Sequence, residues 1–158
     1  MIMRLVLLLL VFLVASPAHG QYWDYYENAR FGYGIDVPPG YVGNGESDNG
    51  DGQMFYSLEA EQGLTVWGGQ LTAGLQAEAA LAAETLAAQG WTITENASTP
   101  QWSMLAAMRD HRVLVQRSIL LCDGASYAAF RAEFNIRDQN AMSGVLHGVS
   151  RSFAPIGC

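Results

Sequence analysis

The chain contains no lysine, and its eight basic residues, all arginine, face fifteen aspartates and glutamates, for a formal net charge of −7 at pH 7. So few cations argue against nucleic acid or an anionic membrane surface as a partner. Cysteine is scarce as well. Cys122 and Cys158 are the only two, and neither lies near the N-terminus, so a lipid-acylated anchor has no residue to attach to. The longest unbroken apolar run, Leu5 to Val14, is ten residues; a hydrocarbon core needs about 20.

Catalytic signatures are missing too. There is no Gly-x-Ser-x-Gly elbow, phosphate loop or dinucleotide fingerprint. Serine, histidine and acids are present as residue types but in no spacing that aligns them, so no enzymatic activity is expected. His111 and His147 have no second His or Cys at a metal-ligand spacing. The acidic segment Gly43 to Gly52 offers Glu46, Asp48 and Asp51 as oxygen donors. An EF-hand template begun at Glu46 fails, however, because it puts Gly50 at a ligand position, Asp51 at the glycine turn and Ser57 at the bidentate glutamate. No metal and no cofactor are expected.

What is present begins with a leader. Arg4 and the amino terminus supply positive charge, Leu5 to Val14 supply the apolar stretch, and Ala15 to Gly20 supply small residues at a peptidase-readable exit. Residues 1–20 therefore read as a secretory signal peptide, cleaved before Gln21, with no integral membrane segment left after cleavage. Residues 21–158, the 138 that remain, are the usual size of one domain. Without Arg4 they hold seven arginines against fifteen acids, a net of −8. The imbalance is uneven, with eleven acids and one arginine over 21–100 but four acids and six arginines over 101–158. The two halves are expected to attract each other within one fold. Arginine without lysine, in an alanine- and glycine-rich chain, fits a GC-rich bacterial genome, and with the leader it points to a Gram-negative periplasm or to secretion. In that oxidising compartment Cys122 and Cys158 are expected to form a disulfide closing a loop of 37 residues. Pairing of Cys158 with another chain is the alternative. The Asn96-Ala97-Ser98 glycan acceptor pattern would be silent in most bacteria.

Hydrophobic periodicity gives the elements. Phe31, Tyr33, Ile35 and Val37 alternate with small or polar residues as in a half-buried strand, which Pro38-Pro39-Gly40 ends. Gly43 to Gly52 reads as an exposed mobile loop. Gln53 to Leu58 and Leu64 to Leu71 read as a hairpin joined by five residues ending in Gly63. Leu75, Ala79, Ala82 and Leu86 form one stripe of a helix that Gly90 stops in a left-handed cap, with Trp91 folding back onto the last turn. Trp91 to Thr94 read as a short strand. Trp102 to Arg109 form a longer one, with Trp102, Met104, Ala106 and Met108 on one face. Two further strand-like runs flank Asp123-Gly124, the dipeptide favoured in a two-residue type I′ turn. Counting outward pairs Cys122 with Ala125, Ile119 with Ala128, Arg117 with Phe130, Val115 with Ala132 and Val113 with Phe134, and directs Val113, Val115, Ile119, Leu121, Phe130 and Phe134 to the core. A last helix is expected with Asn135 as N-cap, a stripe of Met142, Val145, Leu146, Val149 and Phe153, and Pro155 beyond its end. The sum is one α+β domain in which two main helices cover an antiparallel sheet.

The stretch Tyr25-Tyr26-Glu27-Asn28-Ala29-Arg30-Phe31-Gly32-Tyr33-Gly34-Ile35-Asp36-Val37-Pro38, the loop Asp48-Asn49-Gly50-Asp51-Gly52, Gly90-Trp91 and Cys122-Asp123-Gly124 resemble small secreted proteobacterial proteins of uncharacterised role. The order of elements resembles the PsbP-like fold, named for an extrinsic subunit of photosystem II. That resemblance spans most of residues 21–158 and implies a sandwich of sheet and helices used for binding or assembly, without a shared catalytic centre. It carries over no functional residues.

Two features of the residues themselves mark candidate binding positions. Tyr22, Trp23, Tyr25, Tyr26, Phe31, Tyr33 and Tyr41 crowd the start of the chain; aromatics of this kind either fill a small core or anchor a partner. Trp23, Tyr25 and Tyr26 are the candidate anchors. Arg117 interrupts an apolar face, where a buried guanidinium needs an internal acid, several carbonyls or a ligand. The functional expectation is a periplasmic or secreted non-enzymatic binding or assembly module, its partner an envelope protein or a small ligand. The alternative is a small-molecule-binding or hydrolytic enzyme with an aromatic-lined cleft, which a pocket uniting Arg117 with Glu133 or His111 would favour.

Overall fold

Aromatic and β-branched residues alternating with small or polar ones build the strands, which outweigh the helices in this chain. The computed structural model describes residues 22–158; the leader at 1–20 and the expected cleavage before Gln21 lie outside the described residues. In order come β1 (Asp24–Asn28), β2 (Tyr33–Val37), β3 (Val42–Glu46), β4 (Gly52–Ser57), β5 (Gln62–Gln70) and α1 (Leu75–Ala88). They are followed by β6 (Thr92–Ser98), β7 (Trp102–Arg109), β8 (Arg112–Leu120), β9 (Ser126–Asn135), a 3-10 turn (Ile136–Asp138), α2 (Gln139–Ser152) and β10 (Ala154–Pro155).

Seven strands form one sheet in the order β3-β4-β5-β9-β8-β7-β6, and β1-β2-β10 form a small second sheet. Every pairing is antiparallel. β9 lies centrally and is buried on both faces. On one face Ala128, Phe130 and Ala132 meet Tyr33, Ile35 and Val37 of β2, Val149 of α2 and Phe153. On the other, Tyr127 and Ala129 meet Leu75 of α1, while Leu105, Ala107 and Leu114 meet Leu86. The expectation of a sheet covered by two helices thus holds approximately. α1 lies on one face, and α2 shares the other with the small sheet.

The end of α1 forms as its sequence dictates. Gly90 sits at φ +86°, where only glycine is unstrained. The Gly90 N–H donates to the Ala87 carbonyl at 3.1 Å and the Trp91 N–H to the Leu86 carbonyl at 3.0 Å, the paired bonds of a Schellman cap. Trp91 is buried against Leu86. At the other helix, Asn135 caps the 3-10 turn that leads into α2, its side chain accepting from the Arg137 N–H.

Three local expectations need correction. The segment read as a mobile loop contains the edge strand β3, all of it exposed; a strand with solvent on both faces needs no apolar pattern, which is why periodicity missed it. Its turn is tied internally, with Ser47 Oγ donating to Asp51 Oδ1 at 2.5 Å and Asn49 Nδ2 to Asp51 Oδ2 at 3.0 Å. The β8–β9 register is the expected one, but the turn is not type I′. Gly124 has φ +66° while Asp123 is not left-handed. The Asp123 carboxylate instead accepts from the Ala125 and Ser126 N–H groups and from Ser126 Oγ, opening the loop to four residues without shifting the strands. Strand β6 runs on to Ser98, with a bulge between Ile93 and Glu95. In β7, Trp102, Met104, Ala106 and Met108 share a face as expected, and Ser103, Leu105 and Ala107 on the other face are the ones buried.

Cys122 and Cys158 of this one chain are bonded, their Cα atoms 5.5 Å apart. The bond ties the tail that carries β10 to the β8–β9 turn.

Candidate functional site

The helices and the small sheet are shorter than the surfaces they cover, and open ground remains on both faces. On the α2 face, β8 directs Val113, Val115, Arg117 and Ile119 toward α2, and β7 directs Met104, Ala106 and Met108 beyond its edge. A cleft of about 650 Å³ opens there between α2 and strands β6 to β8. Its walls are Met104, Met108, Val113, Val115, Phe134 and Leu146, and its mouth is polar, with Glu95 on one side and His147 on the other.

Arg117 lies in this cleft, flanked in register by Met104 and Phe130. Its Nε is buried and has no hydrogen-bond partner among the described residues. Of the partners such a guanidinium could take, no internal acid is paired with it among the described residues. Among the described residues the ion pairs are those of Arg137 with Glu61, at 4.0 Å, and with Asp138, at 3.8 Å, both at the surface. Strand parity explains the difference. Glu133 pairs with Leu114 and Gly63 and points to the α1 face, whereas Arg117 shares its face with Phe130. A buried donor left unpaired costs about 1–3 kcal/mol.

On the opposite face α1 lies over β6 to β9 and leaves β4 and most of β5 uncovered. A second concavity of about 470 Å³ lies here, lined by Met54, Tyr56, Thr65, Arg112, Arg131 and Glu133. Its cations are already engaged. Arg131 donates from Nε and Nη2 to Gln116 Oε1, at 3.1 and 2.8 Å, and lies 5.5 Å from the centroid of the Trp67 ring; burial lowers its pKa from the ordinary arginine value. Arg112 donates to the Glu61 carbonyl at 2.8 Å.

The N-terminal aromatics are divided among different environments. Trp23 is 41% exposed and lies against α2 at Gly148, where an added Cβ would come within 2.8 Å of the indole. Tyr25 is 57% exposed and lies over Gly34. Tyr26 points the other way, into the space between the sheets, edge-on to Tyr33 and Phe55 at centroid distances of 6.1 and 5.5 Å. Its hydroxyl donates to Glu46 and accepts from Asn28 Nδ2 at 3.0 Å. Burial, opposed by Asn28 and reinforced by Glu46, pushes its pKa up to about 12. Tyr26 is thus engaged in packing.

Trp23 and Arg117 flank α2 on two sides, and His147 borders both the Arg117 cleft and a shallower groove of about 320 Å³ at Trp23. His147 is exposed, on the polar side of α2. Arg117, Glu133 and His111 do not converge: the first two are on opposite faces, and His111 is exposed in the β7–β8 turn. Among the described residues no group of three His, Cys, Asp or Glu side chains could hold a metal ion.

No protein-family model matches the sequence, and no curated protein matches it. Solved structures do. The cyanobacterial PsbP protein CyanoP of Synechocystis sp. PCC 6803 superposes with a TM-score of 0.66 at 14% identity, over 89% of this chain and 96% of that one. The fold is PsbP-like. The Ran-binding protein Mog1p of Saccharomyces cerevisiae shares it, with a TM-score of 0.61 at 10% identity over 86% of this chain and 96% of its own. A point variant of Mog1 gives 0.60 at 10% identity over 85% and 96%. At these identities the likeness is one of fold.

Proposed function

We propose that the chain is an exported, non-enzymatic binding or assembly module of the bacterial envelope, which holds a protein partner on surfaces its helices leave uncovered. The observation that carries this reading is the dispersal of the groups a catalytic centre would need: Arg117 and Glu133 are on opposite faces and His111 is in an exposed turn. Open, largely apolar surface remains on both faces. The leader and the bonded Cys122 and Cys158 support an oxidising compartment outside the cytoplasm. Among the described residues no helix is long and apolar enough to cross a membrane. The name of yeast Mog1p as a Ran-binding protein supports the use of this fold for holding proteins, an argument from analogy of fold.

Trp23 beside α2 and Met54 on the bare β4–β5 face are exposed and belong to different surfaces. The test is retention of proteins from envelope extract by the wild type, Trp23→Ala and Met54→Ser, with melting temperatures measured in parallel. A protein retained by the wild type and lost by one variant of unchanged melting temperature is the expected result. Retention of the same proteins by all three, or of none by the wild type, overturns the reading.

A further inference from the structure

We infer that the cleft beside α2 binds a small amphiphile carrying one carboxylate on an aliphatic chain, with Arg117 holding the carboxylate. The inference goes beyond the reading as a partner-binding module and stands independently of it. Its first support is the guanidinium. Arg117 Nε is buried and unpartnered among the described residues, in a cleft whose walls supply no acid beside it. A planar fork of N–H donors in an apolar site matches a carboxylate, which accepts two parallel bonds and neutralises the charge.

The walls then select the rest of the ligand. Met104, Met108, Val115, Phe134 and Leu146 present apolar surface along the cleft, and flexible methionines adapt to a chain of variable conformation. A volume of about 650 Å³ is within the range of small-ligand pockets. Electrostatics limits the head group to one negative charge. A single arginine faces it, and Glu95 at the mouth repels a second. Glu95 is opposite Ala106 on β7, whereas Arg117 is opposite Met104. The acid is therefore two strands away and displaced along them, so it borders the entrance without reaching the guanidinium. A phosphate dianion would lack a second cation, and a neutral lipid would leave Arg117 unpaired.

The test uses calorimetric titration of the full chain with decanoate below its micellar concentration, alongside 1-decanol and decyltrimethylammonium. One decanoate per chain is expected, bound about tenfold more tightly than decanol, with the cationic analogue weakest. Arg117→Met should bring decanoate to the affinity of decanol and leave decanol binding unchanged. Its melting temperature without ligand should not fall, because a side chain whose Nε is buried without a partner gives way to an apolar one of similar length. Ala106→Phe, which fills the cleft and leaves Arg117 in place, should weaken both ligands. Equal affinities of the wild type for decanoate and decanol, undiminished decanoate binding by Arg117→Met, or no binding at all overturns the inference. If Ala106→Phe does not fold, the Arg117→Met comparison decides. Trp23 and Met54 lie outside this cleft, so protein retention and decanoate binding can fail separately.

Discussion

At Gly52 the space a side chain would need is already taken by backbone. A Cβ there would stand 1.9 Å from the Val66 carbonyl oxygen and 2.7 Å from the Trp67 Cα, because β4 begins tight against β5. Backbone cannot swing aside, so Gly52→Ala should force the two strands apart and cost about 2–3 kcal/mol, read as a lower urea midpoint. Gly34→Ala meets the end of the exposed Tyr25 ring, which can rotate away, and should cost clearly less. Tyrosine hydroxyls set a second limit at this scale. Burial pushes Tyr26, Tyr41 and Tyr127 up to about 12, with Glu78 adding to the shift at Tyr127, and raises Tyr33 as well. In the unfolded chain these groups ionise near 10. Between the two values the native state holds protons that the unfolded state has lost, so stability falls as pH rises. Denaturant midpoints should hold steady up to about pH 10 and drop progressively toward about pH 12, with the phenolate absorbance rising as the chain unfolds.

At the scale of elements, the signals legible in the sequence were those in which one residue type forces one geometry. Gly90-Trp91 announced the end of α1, and its left-handed φ of +86° makes a sharp prediction. Gly90→Ala should cost about 1–2 kcal/mol, visible as a lower thermal midpoint with helix content retained. The β8–β9 register was legible because Asp123-Gly124 centres the hairpin. The turn type was not, because the Asp123 carboxylate bonds to three donors beyond the turn and so stabilises a wider loop. Strand β3 was illegible for the opposite reason: an edge strand exposed throughout carries no burial pattern. The disulfide was legible from compartment and count, and its sequence separation of 36 residues sets its weight. Replacing Cys122 and Cys158 together by Ser should cost about 3–4 kcal/mol by loop entropy. It should also free the two-residue β10 from β2, which hydrogen exchange at Ile156, bonded to the Gly32 carbonyl at 2.8 Å, would report.

For the whole molecule, layer order followed from the alternation of strands and amphipathic helices, but the clefts did not. A cleft is where cover stops, and how far α2 and the small sheet reach over β6 and β7 depends on packing between segments distant in sequence. Arg117 was recognisable as anomalous from its apolar neighbours, and the hairpin register already sent Glu133 to the other face; that no acid from another element pairs with it depended on how α2 and β6 pack around it. The charge asymmetry was misleading in a similar way. The acidic first half and the arginine-rich second half meet in one ion pair among the described residues, Arg137 with Glu61 at 4.0 Å, both side chains 66% exposed. A pair of that kind contributes little. The larger electrostatic contribution is the self-repulsion of residues 22–158, which carry seven arginines against fifteen acids and so destabilise the compact state. Salt screens both, but over a Debye length of about 10 Å at 0.1 M it relieves many repulsions while weakening a single attraction. Raising NaCl from about 0.01 M to about 0.1 M should therefore leave the melting temperature unchanged or raise it; a fall would mean that attraction between the two halves outweighs their net charge.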